Sequence, residues 1–154
     1  MLLNILIEIL SLYIFTQQDY FTQNFSEFFS NHILIGIGYG ILISLSIYQL
    51  FQDRISKKII IPLSCIFTIS FMIPYHINDF LNQLHSLLAA FSIIIVLYMI
   101  TYRLKEINHS FYYIHLAFLL ICVMIFIHFT VINSILELLV ISYIQLLCIL
   151  KKCI

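Results

Sequence analysis

FMIPYHINDFLNQLHSLLAAF, residues 71–91, places a proline, two histidines and an aspartate between two long apolar runs. A polar break flanked by apolar runs, with no Lys or Arg in it, is the pattern of two membrane helices joined by a short loop away from the cytoplasm. Pro74 is expected to end the run before it, because proline lacks the N–H that continues a helix. HINDFLN then forms the loop, and His85 falls in the first turn of the helix that follows.

The rest of the chain agrees with that placement. Of 154 residues, 63% are hydrophobic and 9% are charged, whereas a soluble domain carries about 25% charged residues. So little polar surface cannot cover a globule in water, and the bilayer is the natural solvent. Net charge is zero, so there is no basic footprint for nucleic acid. The expected fold is an all-α, polytopic transmembrane bundle forming one domain over residues 1–154. Apolar runs of the length a span needs fall at about 1–16, 33–51, 58–75, 83–102, 110–129 and 133–150. That is six spans, or five if the first, which is short and carries Glu8, does not insert.

The basic residues lie in three segments: Arg54, Lys57 and Lys58; Arg103 and Lys105; Lys151 and Lys152. They follow the second, fourth and sixth runs, so six crossings leave all of them on one face. The positive-inside rule makes that face cytoplasmic, with both termini on it. The localisation expected is a multi-pass integral membrane protein, in the plasma membrane of a prokaryote or an endomembrane of a eukaryote. No nucleic-acid partner is expected, and the lipid bilayer is the main one.

The glycines are gathered in GIGYGILIS. Gly36, Gly40 and Ser44 recur every four residues on one helical face, where small side chains let helix backbones approach closely. Such a face fits a neighbouring span of the same bundle, for which Ser86, Ala89 and Ala90 offer a matching stripe, or a second copy of the chain. Pro62 is expected in the first turn of the third span, where a missing N–H is harmless. Cys65, Cys122 and Cys148 sit in apolar runs as small hydrophobes, and no CxxC pair suggests thiolate zinc.

The outer boundary collects the titratable groups. His76, Asp79 and His85 meet there, His128 reaches the same level near the end of the fifth run, and the first outer loop adds Ser26 and Glu27. Histidines and a carboxylate can hold zinc with an open position for water. His76, Asp79, His85 and His128 are therefore the candidate metal ligands, although H-x2-D-x5-H is no established signature. A metal-dependent hydrolase acting on lipid would use His85, Asp79, Ser26 and Glu27. The plainer account is that polar residues occupy loops and helix ends because water and headgroups are there; on it no cofactor is needed. Glu137 lies one turn into the last run, and an acid inside a membrane is a functional candidate by default, which admits a transporter or transporter subunit as a further alternative.

The order of these features resembles a known family. A short first span precedes NFSEFFSN, a glycine-bearing second span follows, the third ends in IPYHIND, and the fourth begins LHSLLAAFSI. This is similar to the bacterial and archaeal six-span membrane proteins of unknown function related to the DRAM and Sfk-type eukaryotic proteins. Ser26 and Glu27 match the family's Ser-Glu-Leu-Gly-like patch, without the Leu-Gly, and Pro74, Asp79, His85 and Ala89 or Ala90 match a second patch. The resemblance implies six helices, an outer polar patch, no assigned reaction and a lipid-facing role.

Overall fold

The computed structural model describes residues 2–19, 23–53, 55–73, 79–129 and 134–151. Among them the chain is all-helical: α1 (Leu2–Thr16), α2 (Phe25–Asn31), α3 (Ile33–Phe51), α4 (Lys57–Met72), α5 (Asp79–Ile107), α6 (His109–Phe129) and α7 (Ser134–Leu150). Three of these, α3, α5 and α6, are long and apolar enough to cross a membrane, and α1 and α7 are shorter apolar helices. At 15 residues, α1 spans about 22 Å against a hydrocarbon core of about 30 Å. α5, with 29 residues, is longer than the core is thick.

Two boundaries differ from expectation, each for a local reason. Ser56 caps α4 by accepting the Lys58 N–H at 3.3 Å, so the helix takes in both lysines and Pro62 sits in its second turn rather than its first. The Lys58 carbonyl thereby loses its partner four residues on, which is tolerable at an exposed helix end. α5 begins at Asp79, whose carboxylate favours a helix N-terminus, so His85 lies in the second turn.

The helices close into a ring. α3 lies against α4, α4 against α5, α5 against α6, α6 against α7, and α7 returns to α3; α1 packs on the seam between α7 and α3. Polar side chains fasten that seam inside the apolar stack. Ser11 and Tyr39 hydroxyls meet at 2.7 Å, Ser142 donates to Glu8 Oε1 at 2.5 Å, and Ser46 donates to Gln145 Oε1 at 3.0 Å. Interhelical hydrogen bonds of this kind contribute about 0.6 to 2 kcal/mol each in a bilayer. α6 is tied in by His115, which is fully buried. Its Nε2 meets Thr101 Oγ1 of α5 at 2.8 Å and its Nδ1 meets the Tyr143 hydroxyl of α7 at 2.8 Å. The Thr101 hydroxyl already donates to the Leu97 carbonyl, so it accepts from His115 and the Tyr143 hydroxyl donates to the ring.

The glycine face of α3 is taken up within the chain. A Cβ at Gly36 would stand 2.9 Å from Cβ of Phe29 on α2, and one at Gly40 would stand 3.0 Å from Cδ2 of Phe71 on α4. Ser44 completes the stripe by donating to the Ser64 carbonyl of α4 at 2.9 Å. The stripe thus receives aromatic rings and α4 backbone rather than the Ser86, Ala89 and Ala90 stripe. Ala89 and Ala90 instead line a cavity, where their small side chains leave room.

The two ends of the ring differ in chemistry. At one, the Arg103 guanidinium of α5 donates to the Leu50 carbonyl of α3. Beside it Lys151, after α7, donates to the Gln49 carbonyl at 2.5 Å and pairs with Asp53 at 2.6 Å. At the other, the backbone N–H of Ser134 donates to the Gln23 carbonyl at 2.8 Å, and α2 lies across the opening. The outward surface is apolar, with Leu34, Ile94, Tyr98, Leu120 and Ile127 exposed.

Candidate functional site: a Ser–His pair in the wall of an apolar cavity

The site is built by α2, a helix inside the segment that sequence reading assigns to a loop. Asn24 is extended (φ −124°, ψ 166°), and its Oδ1 accepts the Glu27 N–H at 3.1 Å, the usual bond of an N-cap asparagine. Phe25 and Phe29, one turn apart, are buried and face inward. Their rings pack on Tyr39 with centroids 6.3 Å and 5.2 Å away, and Phe29 also meets Phe71 at 5.4 Å. Aromatic pairs in edge contact contribute about 0.5 to 1.5 kcal/mol beyond their buried area. The cluster therefore clamps a seven-residue helix that is too short to persist unaided. With Phe25 and Phe29 fixed, Ser26 is turned into the bundle.

There Ser26 Oγ lies 2.7 Å from His85 Nε2. On the other side of the ring, His85 Nδ1 lies 2.7 Å from the Ser70 carbonyl oxygen. A carbonyl oxygen only accepts, so Nδ1 carries the proton. In the neutral imidazole Nε2 is then an acceptor, and the Ser26 hydroxyl donates to it. Both side chains are buried, Ser26 at 8% and His85 at 6% exposure. Beside them Glu137 Oε2 accepts the Phe25 N–H at 2.5 Å, tying the first residue of α2 to α7.

Ser26, His85 and Glu137 share one cavity of about 520 Å³, within the range of about 300 to 1,000 Å³ typical of ligand pockets. Its body is apolar, with Ile93 and Leu97 from α5, Val123 and Phe126 from α6, and Val140 and Ile141 from α7. Gln145 lies two turns beyond Glu137 on the same wall, about 12 Å along α7. The cavity is not sealed from its surroundings. Ile94 on α5 and Val123 on α6 line it while being 65% and 51% exposed, so its wall is open on the side of α5 and α6.

The expected site residues therefore divide. Ser26, His85 and Glu137 come together. Glu27 is half-buried on the cap side of α2 and does not line the cavity. Asp79 is exposed at the start of α5. It precedes His85 by six residues, which on a helix sets the two side chains about 120° apart. His128 is exposed on α6 and is likewise no part of the lining. His76 lies outside the described residues. Among the described residues no group of three His, Cys, Asp or Glu side chains is close enough to hold a metal ion.

Two contributors escaped sequence reading. The Ser70 carbonyl that orients His85 has no sequence signal, because every residue has a carbonyl. The helix α2 did have one, since Asn24 followed three residues later by Glu27 has the spacing of a capped N-terminus. Comparison with protein families, with curated proteins and with solved structures finds no match to the chain.

Proposed function

We propose that this chain is a six-span membrane protein that takes a lipid chain into the cavity enclosed by α3 to α7. The polar group of the lipid would sit at Ser26, His85 and Glu137. On this reading α1, α4 and α7 cross the bilayer with α3, α5 and α6. The Arg103 and Lys151 end is cytoplasmic by the positive-inside rule, and α2 lies at the outer boundary. The DRAM and Sfk-type resemblance points the same way, towards a lipid-facing role.

One observation carries the proposal: a cavity of about 520 Å³ with an apolar body, into which Ser26, His85 and Glu137 bring polar groups together, Gln145 standing apart from them along α7. That amphipathic lining suits a ligand with a long apolar part and a single polar one. A wall open through Ile94 and Val123 would admit such a ligand sideways from the bilayer, without passage through water. Glu137 is accounted for here as the acceptor that holds α2 in place.

The test is lipid binding by the purified chain in detergent, read with a fluorescent fatty acid and by mass spectrometry of co-purified lipid. Ala90 lines the cavity, whereas Leu87 points away from it and is 66% exposed. Ala90→Phe should weaken binding by about tenfold or more, the loss of roughly 1.4 kcal/mol, while Leu87→Phe leaves it unchanged. Equal binding by both variants, with unaltered melting temperatures, would sink the proposal.

A further inference from the structure

The hydroxyl of Ser26 has a different kind of partner from the other buried serines described: Ser44, Ser46 and Ser134 bond across to carbonyl or amide oxygens of other segments. Ser11, Ser70 and Ser92 each donate to a carbonyl three or four residues back on their own helix, at 2.7 Å in every case. That local bond is the ordinary way for a serine to satisfy itself in an apolar setting. Ser26 instead reaches across to an imidazole 59 positions on in the chain, and the imidazole is fixed from behind by a backbone carbonyl. Hydroxyl, ring nitrogen and an orienting acceptor in series make up the arrangement that activates a serine nucleophile. The third member here is the Ser70 carbonyl where hydrolases use a carboxylate.

We propose that Ser26 and His85 are catalytic: a nucleophile and general base that cleave a lipid ester whose acyl chain lies in the cavity. This rests on the lipid-binding reading above. The Ser26 Oγ–H bond breaks as Oγ attacks the ester carbonyl carbon, and the proton passes to His85 Nε2. The carbonyl carbon then releases the alkoxide, which takes that proton from Nε2 and leaves as an alcohol, so that the acyl group is held as an ester on Ser26. Water attacks this ester with His85 Nε2 again accepting the proton. The proton returns to Ser26 Oγ as the carboxylic acid departs. The net reaction is ester plus water to acid plus alcohol, with no metal and no redox change.

The apolar body below the pair supplies the substrate class. A long acyl chain would lie against Ile93, Leu97 and Val140, putting its carbonyl carbon near the Ser26–His85 pair, where α2 and α5 meet. Glu137 is a positioning residue, since it touches the Phe25 N–H rather than the pair.

The experiment uses the full chain in detergent and an alkyl fluorophosphonate, which forms a stable bond only with an activated serine. Intact-mass and peptide analysis should find one adduct, on Ser26. Ser26→Ala should abolish it, and His85→Ala should slow it by about 100-fold or more, the usual contribution of a general base. Release of fatty acid from a lysophospholipid should fall in parallel in both variants, while Leu87→Phe, outside the cavity, keeps the adduct, the release and the binding of the fluorescent fatty acid. A wild-type chain that binds the fatty acid but takes no adduct on Ser26 would overturn the catalytic proposal and leave lipid binding standing. So would an adduct unaffected by His85→Ala. A wild-type chain that binds no fatty acid would overturn both. If Ser26→Ala fails to fold, the site of the wild-type adduct decides the matter by itself.

Discussion

Two glycines a few ångströms apart on α3 carry opposite consequences. Gly36 is pressed on Phe29, where an added Cβ would stand 2.9 Å from the Phe29 Cβ, while Gly38 has nothing within 4 Å. A methyl at Gly36 forces α2 off α3, and α2 carries Ser26. A methyl at Gly38 meets only open space and removes the conformational freedom that makes glycine a poor helix residue, by about 0.8 to 1 kcal/mol in aqueous helices. Gly36→Ala should therefore lower thermal stability in detergent, by about 1 to 3 kcal/mol as for an overpacked core site, and Gly38→Ala should leave it unchanged or raise it. A melting curve for each variant checks the pair, and equal losses would contradict the close approach of Phe29. The same scale explains what composition could not show. The four-residue spacing in the sequence sets Gly36 and Gly40 on one face and leaves Gly38 off it, but only the structure shows that Phe29 and Phe71 fill that face.

Among the elements, α2 is the one on which the site depends and the one least able to stand alone. It is held by the Asn24 cap, the Phe25 and Phe29 rings, and the Glu137 bond to the Phe25 N–H. Removing the cap removes a partner of an orphan N–H without disturbing the buried rings. Asn24→Ala should cost about 0.5 to 2 kcal/mol, and the cost should appear locally. Hydrogen exchange of amides 25–31 should quicken while amides in α3 and α5 keep their protection. Uniform loss of protection would mean that α2 is part of one cooperative unit with the spans. α5 reaches from Asp79 to Ile107 because charged residues near its end, Arg103, Lys105 and Glu106, are good helix formers, although they mark the end of an apolar run. Apolar length thus tells where a span is, and helix propensity with capping tells where the helix stops.

For the whole molecule, Arg103 and Lys151 lie at one end of a ring and α2 at the other. Arg103 reaches the end of α3 and Lys151 pairs with Asp53, while Gln23, Phe25, Ser134 and Glu137 are joined at the other end. With the native cysteines replaced, a single cysteine at Asp53 and one at Gln23 should react with an impermeant maleimide from opposite sides of intact vesicles. Reaction from the same side would undo the six-span topology and, with it, the assignment of α2 to the outer boundary. Of the polar residues expected at that boundary, Ser26, His85 and Glu137 line one cavity. His85 and Glu137 were legible as buried polar groups in apolar runs, and Ser26 as part of a polar loop. Asp79 was equally legible, and the turn of α5 carries it away from His85.

Composition and the spacing of apolar runs determined by themselves that this chain is helical and built for an apolar solvent, because those properties follow from each segment's own transfer free energy and periodicity. Which polar groups meet depends on rotation about each helix axis and on contacts between residues far apart in the chain. The Ser26–His85 pair, its Ser70 orienting carbonyl and the cavity beneath them therefore belong to the tertiary structure alone.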